Sequence, residues 1–190
     1  GRWHLPGPHL LLSNKGGAQV AAESVISRAE WGAVPPKSRA ELDGPARKAV
    51  VHHTALAKCS GLSGCRDLLR SIQRFHMDER GFDDIGYNFL VGCDGSVFQG
   101  RGWGVVGAHA KGHNHDSVGI AFMGNYNEDA PSSEAVSAVR RLLQSGLSQG
   151  FLQPASLCWD TETWAAQSVR GDKLYAVLSE RYFFPHAEMV

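Results

Sequence analysis

Two imidazoles stand side by side in an apolar, β-branched stretch, Val50-Val51-His52-His53-Thr54. A neutral histidine can ligate a metal or carry a proton, so the question is which other residues share its site. On a strand, successive side chains point to opposite faces. One imidazole can therefore enter a cleft while the other turns to core or rim, and the pair cannot comfortably ligate one metal. Taken alone, a strand histidine is more often a hydrogen-bonded structural residue than a ligand. Further on, Asp84-Ile85-Gly86-Tyr87-Asn88-Phe89 carries a phenol. Tyr87 either packs in the core or donates to a carbonyl or a bound water. Arg101 and Trp103 flank Gly102, and His109, His113, Asn114 and His115 fall in a polar loop with Asp116 as their acidic neighbour. Such a loop is a poor metal set. Gln73, His76 and Arg80 follow one another at helical or near-helical spacing and lead into Gly81-Phe82. That spacing alone describes a solvated helix face.

The elements that must position these residues are legible in outline. Residues 1–24 form a tail with Pro, Gly, Ser and Asn and no sustained period. A domain begins at Val25 and runs to residue 186. Residues 48–56 are rich in β-branched residues and predict a strand. From Leu62 to Met77, apolar residues at Cys65, Leu68, Leu69, Ile72 and Phe75 predict a helix with Ser63 as its N-cap. Residues 88–100 predict a hairpin turning at Asp94-Gly95, and residues 117–124 predict another strand. Helices are expected over 132–147 and 172–182. The fold class is α/β: one domain, a central mostly mixed sheet and about three packed helices.

Composition narrows the function. The 190 residues carry zero formal net charge, so binding a nucleic acid through bulk electrostatics is not expected. No apolar run is long enough to span a bilayer. The chain opens on Gly1, and the expectation is a processed or partial form. Of four cysteines, Cys59 and Cys65 share a Gly/Ser-rich loop. Their spacing suits a disulfide and two free thiols equally. Cys93 sits in a predicted turn without an evident partner.

The series from Val50 to Thr54, then Asp84 to Phe89, Gly100 to Trp103 and Gly107 to His109 resembles the peptidoglycan recognition proteins, relatives of phage zinc amidases. The resemblance covers about residues 25–156 and 171–184. It implies a secreted protein with a Cys59–Cys65 disulfide and His52 at the family's first zinc-ligand position. Tyr87 matches a tyrosine that assists catalysis in the amidases and contacts the stem peptide in non-catalytic members. The ligand contacts it implies are His53, Thr54, His76, Arg80, Gly81, Phe82, Tyr87, Arg101, Trp103, His109 and Asn114. Such a groove suits a glycopeptide: guanidinium forks bind carboxylates bidentately, and aromatic faces support sugars. Gly81 and Arg101 match members favouring diaminopimelate-type peptidoglycan, whereas Phe82 matches those favouring lysine-type. Arg101 offers a cation for the extra carboxylate of diaminopimelate, which tips the expectation toward that type.

The other half of the family's zinc site is missing. Aligning on Gly171-Asp172 puts Thr161 where the family has its second histidine and Val169 where it has a cysteine. Neither side chain replaces those ligands, and a catalytic zinc takes three protein ligands plus water. The stretch 158–170 lacks family character while its flanks have it. Back-translated and read one base earlier, it permits Leu-Leu-Gly-His-Arg-Asp-Leu-Gly-Ser-Thr-Val-Cys-Pro-Gly before rejoining at Asp172. The permitted His and Cys fall on Thr161 and Val169. The hypothesis is a pair of compensating one-base shifts, in the sequence or in the gene. As written, the expectation is a peptidoglycan binder of innate immunity without zinc. With the frame restored, it is a zinc N-acetylmuramoyl-L-alanine amidase.

Overall fold

The computed structural model describes residues 23–160, with side chains as far as residue 154. Six strands make one sheet: β1 (Val25–Ile26), β2 (Ala46–His53), β3 (Phe89–Val91), β4 (Val97–Gln99), β5 (Ser117–Phe122) and β6 (Leu152–Asp160), in the order β1-β4-β3-β5-β2-β6. β3 and β4 are the antiparallel hairpin, and the other pairings are parallel. Among the described residues three α-helices accompany the sheet: the single turn α1 (Arg28–Trp31), α2 (Gly61–Arg74) and α3 (Ser133–Ser148). The expected helix over 172–182 lies outside the described residues.

The sheet is covered on both sides. Val51, Phe89, Val91, Val97, Val118, Ile120 and Phe122 pack with Ala135, Val139 and Leu142 of α3. Their alternates Leu90, Phe98 and Ala121 pack with Cys65, Leu69 and Ile72 of α2 and with Trp31. Burying each Val, Leu or Phe side chain contributes about 1.5–3 kcal/mol. β5 is buried along its whole length and β2 from Ala49 onward, on both faces, as expected of inner parallel strands. Ser132 caps α3 by accepting from Ala135 N at 3.1 Å, and its hydroxyl donates to Cys93 O in the hairpin turn.

The start of α2 differs from expectation. Its N-cap is Ser60, whose side chain makes no capping bond, and Ser63 lies inside the helix. The cause is tertiary. The Cys59–Cys65 disulfide ties the first turn back to the preceding loop, and the Asp94 carboxylate of the hairpin accepts from the Gly61 backbone N–H. The far end of α2 continues as a π-helical turn, Phe75–Glu79. Phe75, still α-helical with its N–H bonded to Ser71 O, is 48% exposed, and Met77 within the π turn is 6% exposed. Cys93, expected to stand alone, has its Sγ 3.6 Å from the Tyr126 hydroxyl.

Candidate functional site

β2 delivers His52 to the α2 face of the sheet and His53 to the α3 face, as strand alternation requires. On the α2 face, rings join in a chain. Tyr87 lies between His52 and His76, with centroids 5.5 Å and 5.7 Å away. His76 continues to Phe82 at 5.5 Å, and His52 meets His109 edge-on at 5.1 Å. Arg80 places its guanidinium 5.5 Å from the Phe75 ring at the outer end. Gly81, at φ +69°, supplies the left-handed turn that brings Phe82 back beside His76.

The hydrogen bonds fix proton positions. The Ser117 hydroxyl donates to His113 O at 2.6 Å, so toward His109 Nε2, 3.4 Å away, it can only accept. His109 is then the Nε2–H tautomer, and its Nδ1 accepts from His52 Nε2–H across 3.0 Å. Space for the His109 ring comes from two glycines. A Cβ on Gly119 would lie 2.4 Å from His109 Cγ, and one on Gly107 would lie 2.6 Å from His109 Cδ2. His76 Nδ1 accepts from Gly86 N at 2.9 Å, which leaves its proton on Nε2. Burial lowers the pKa of His52 and of His76 to about 4, and that of His109 well below its ordinary value. The cations Arg80 and Arg101 add to this for His76 and Arg101 for His109, and protonation of His52 and of His109 is also opposed by a second imidazole beside each, His53 and His52 respectively. All three imidazoles are neutral near pH 7, so they offer directional donors and acceptors rather than charge. Burial raises the pKa of the Tyr87 phenol, which stays protonated.

Arg101 is anchored to backbone. Its Nε donates to Ile85 O at 2.7 Å, Nη1 to Val106 O at 2.9 Å and Nη2 to Asp84 O at 3.5 Å. Asn114 shapes the His109 loop, its Oδ1 accepting from His109 N and Ala110 N at 2.9 Å each. Thr54 accepts from Gly124 N at 3.0 Å, at the end of β2.

Two expected site residues lie elsewhere. His53 is 3% exposed on the α3 face, its Nδ1 accepting from Tyr126 N at 2.9 Å. Trp103 packs on Phe89 with centroids 4.7 Å apart and stacks on Phe151 at 5.6 Å. A Cβ on Gly146 of α3 would come within 2.5 Å of the Trp103 ring. Both side chains are thus built into the α3 layer.

Sequence reasoning passed over Asn88, which is fully buried. Its Nδ2 donates to Gly102 O at 2.9 Å and Val105 O at 2.8 Å, and its Oδ1 accepts from Gly119 N at 2.8 Å. Asn88 therefore locks the Arg101 loop to the strand under His109. Its place inside the Asp84–Phe89 motif was the available signal.

His52 is the described residue that the resemblance makes a zinc ligand. No group of three His, Cys, Asp or Glu suited to a metal occurs among the described residues. Thr161 and Val169 lie outside the described residues. β6 runs beside β2 as far as Asp160, which pairs with Val51.

The N-acetylmuramoyl-L-alanine amidase model, Amidase_2, matches residues 42–173. Peptidoglycan-recognition protein SC2 of Drosophila melanogaster is 45% identical over 131 residues, 69% of this chain and 71% of that protein. Peptidoglycan recognition protein 1 of Bos indicus is 37% identical over 196 residues, covering 100% of this chain and 99% of its own. Among solved structures, peptidoglycan recognition protein LE in complex with tracheal cytotoxin, a monomeric diaminopimelic acid-type peptidoglycan, superposes with TM-score 0.79. It is 34% identical, over 82% of this chain and 92% of that one. The mixed sheet with its histidine cluster is thus an amidase-type domain, and the chain belongs to the peptidoglycan recognition branch of the Amidase_2 family.

Proposed function

We propose that this chain binds bacterial peptidoglycan through its stem peptide, outside the cell, as a recognition protein of innate immunity. The observation that carries this reading is the ring chain on the α2 face. Tyr87 and the Nε2–H of His76 offer neutral donors, while Arg80 and Arg101 provide the cations. Neutral donors suit the amide carbonyls of a peptide, and guanidinium groups suit its carboxylates. Arg101 and Gly81 favour a diaminopimelate-type stem. The solved relative bound to that ligand type supports the same preference. The Cys59–Cys65 disulfide supports an oxidising, extracellular location. No helix among the described residues is long and apolar enough to cross a membrane.

The donor set does not fit a catalytic zinc. His52 supplies one ligand, and Thr161 and Val169 carry no imidazole or thiolate. The reading is therefore binding without zinc-dependent cleavage in the chain as written. Co-sedimentation with insoluble peptidoglycan tests binding, and failure to sediment rejects it. Metal content of the purified chain, with assay of stem-peptide release, tests the second part. Stoichiometric zinc together with release would overturn it.

One observation favours a second reading. The stretch that departs from the family begins at residue 158, on the strand that pairs with β2 beside His52. If coding DNA across residues 155–173 restores His and Cys at the Thr161 and Val169 positions, the protein is a zinc amidase.

A further inference from the structure

Asp84 is 3% exposed and is the most heavily bonded carboxylate near the site. Its oxygens accept from Arg28 Nη1 at 2.8 Å, Arg28 Nη2 at 3.1 Å, Gln73 Nε2 at 2.8 Å and the Ile85 N–H at 2.8 Å. A buried ion pair is weak evidence for stability, because desolvation offsets its attraction. What it fixes is more informative. Two of the three carbonyls that hold Arg101 belong to Asp84 and Ile85 themselves. Arg28 also donates to Gly100 O at 2.6 Å, on the residue before Arg101. The pair therefore grips Arg101 from two directions, through its backbone and through the carbonyls under its guanidinium. Arg28, Asp84 and Arg101 share the wall of one cavity of about 90 Å³.

We infer that Asp84, clamped by Arg28 and Gln73, is the positioning residue that sets the Arg101 fork. Given the proposed function, on which this part rests, it thereby sets the preference between stem types. Bidentate capture of a carboxylate needs a planar fork held in one orientation. Bonds to Ile85 O, Val106 O and Asp84 O engage three of its five N–H groups among the described residues, which leaves two for a ligand.

The test has a ligand-free arm and a ligand arm. In the wild type, the Arg101 Nε–H donates to Ile85 O, so its NMR signal is expected to be dispersed and slow to exchange. Arg101→Ala assigns that signal. In Asp84→Asn the signal is expected to move to the solvent-averaged position, and its persistence unchanged would overturn the proposal whatever the protein binds. In the ligand arm, soluble muramyl peptides differing only in diaminopimelate or lysine are titrated by calorimetry. Asp84→Asn should weaken diaminopimelate binding about tenfold and leave lysine-type binding within about twofold. Equal weakening of both would show a merely structural role and overturn the proposal. An unchanged preference in Arg101→Ala would instead reject the carboxylate reading of Arg101, leaving the NMR arm to decide the positioning claim. Should Asp84→Asn lose its circular dichroism, Arg28→Lys carries both arms, because it keeps the charge and removes the fork. Its shifts should have the same sign and smaller size.

Discussion

His52 and His53 share a strand and near-complete burial, at 5% and 3% exposure, and enter opposite chemistries. His53 joins an apolar layer, its Nδ1 accepting one backbone N–H from Tyr126. His52 joins a layer cleared by glycine, where its neighbours are Tyr87 and His109. Burial alone does not separate a site from a core. What separates them is that the α3 face is filled by apolar side chains, aliphatic and aromatic, while the α2 face near His52 holds neutral, oriented donors and acceptors.

The largest effect should come from damaging the core face. Phe122 is fully buried against α3. Phe122→Ala should cost about 3–5 kcal/mol in urea unfolding, while the folded fraction still sediments with peptidoglycan. Lost binding at full folding would break the division between faces. Next in size is Gly119→Ala. Its methyl would sit 2.4 Å from His109 Cγ, and overpacking of this kind costs about 1–3 kcal/mol. Displacing the ring breaks the His52–His109 bond, so binding should fall with stability. A variant that binds normally would remove His109 from the site.

How far the sequence foretold these faces depends on how local each cause is. The strand around His52, the hairpin, α2 and α3 follow from period and turn residues, because those signals act within a few positions. Phe75 was expected on the buried face of α2 and is outside, because α-helical rotation already carries it past the edge of the stripe that Cys65, Leu69, Ile72 and Gln73 bury. The cap at Ser60 replaced Ser63 because a disulfide and Asp94 from the hairpin act on the first turn. β6 went unnoticed because Pro154 and the Cys158-Trp159-Asp160 run mask its alternation. The ligand role of His109 came from resemblance. Its bond to His52 spans 57 residues and two glycine clearances, which no local pattern encodes. Trp103, grouped with Arg101 by adjacency, follows Gly102 at φ +79° in a turn outside any strand, and that turn, not strand alternation, carries it to the α3 side.

Acid separates the faces more gently. His52 and His76 have pKa values lowered to about 4, and His109 is well below 6.5. The unfolded chain binds protons near pH 6.5 that the folded chain refuses. Stability from these groups is therefore complete above pH 6.5 and is lost as the pH falls toward about 4. For the fully buried His52, the slope reaches up to about 1.4 kcal/mol per pH unit. Urea midpoints measured from pH 7 to 4 should show this decline, and His52→Gln should flatten it. A midpoint indifferent to pH across that window would mean that the imidazoles are not held neutral.

The finest test returns to the neighbour of His52. In His53→Asn, the Asn Oδ1 can take over from Nδ1 as acceptor for the Tyr126 N–H. Stability should then fall by about 1 kcal/mol, the scale of one weakened neutral hydrogen bond. Binding of either stem type should stay within about twofold, because His53 faces α3 rather than the ring chain. The family resemblance makes the opposite forecast, since it counts His53 among ligand contacts. A selective loss of binding at unchanged stability would show that the ligand reaches around the end of β2, past Thr54, and that the two histidines serve one groove from both faces.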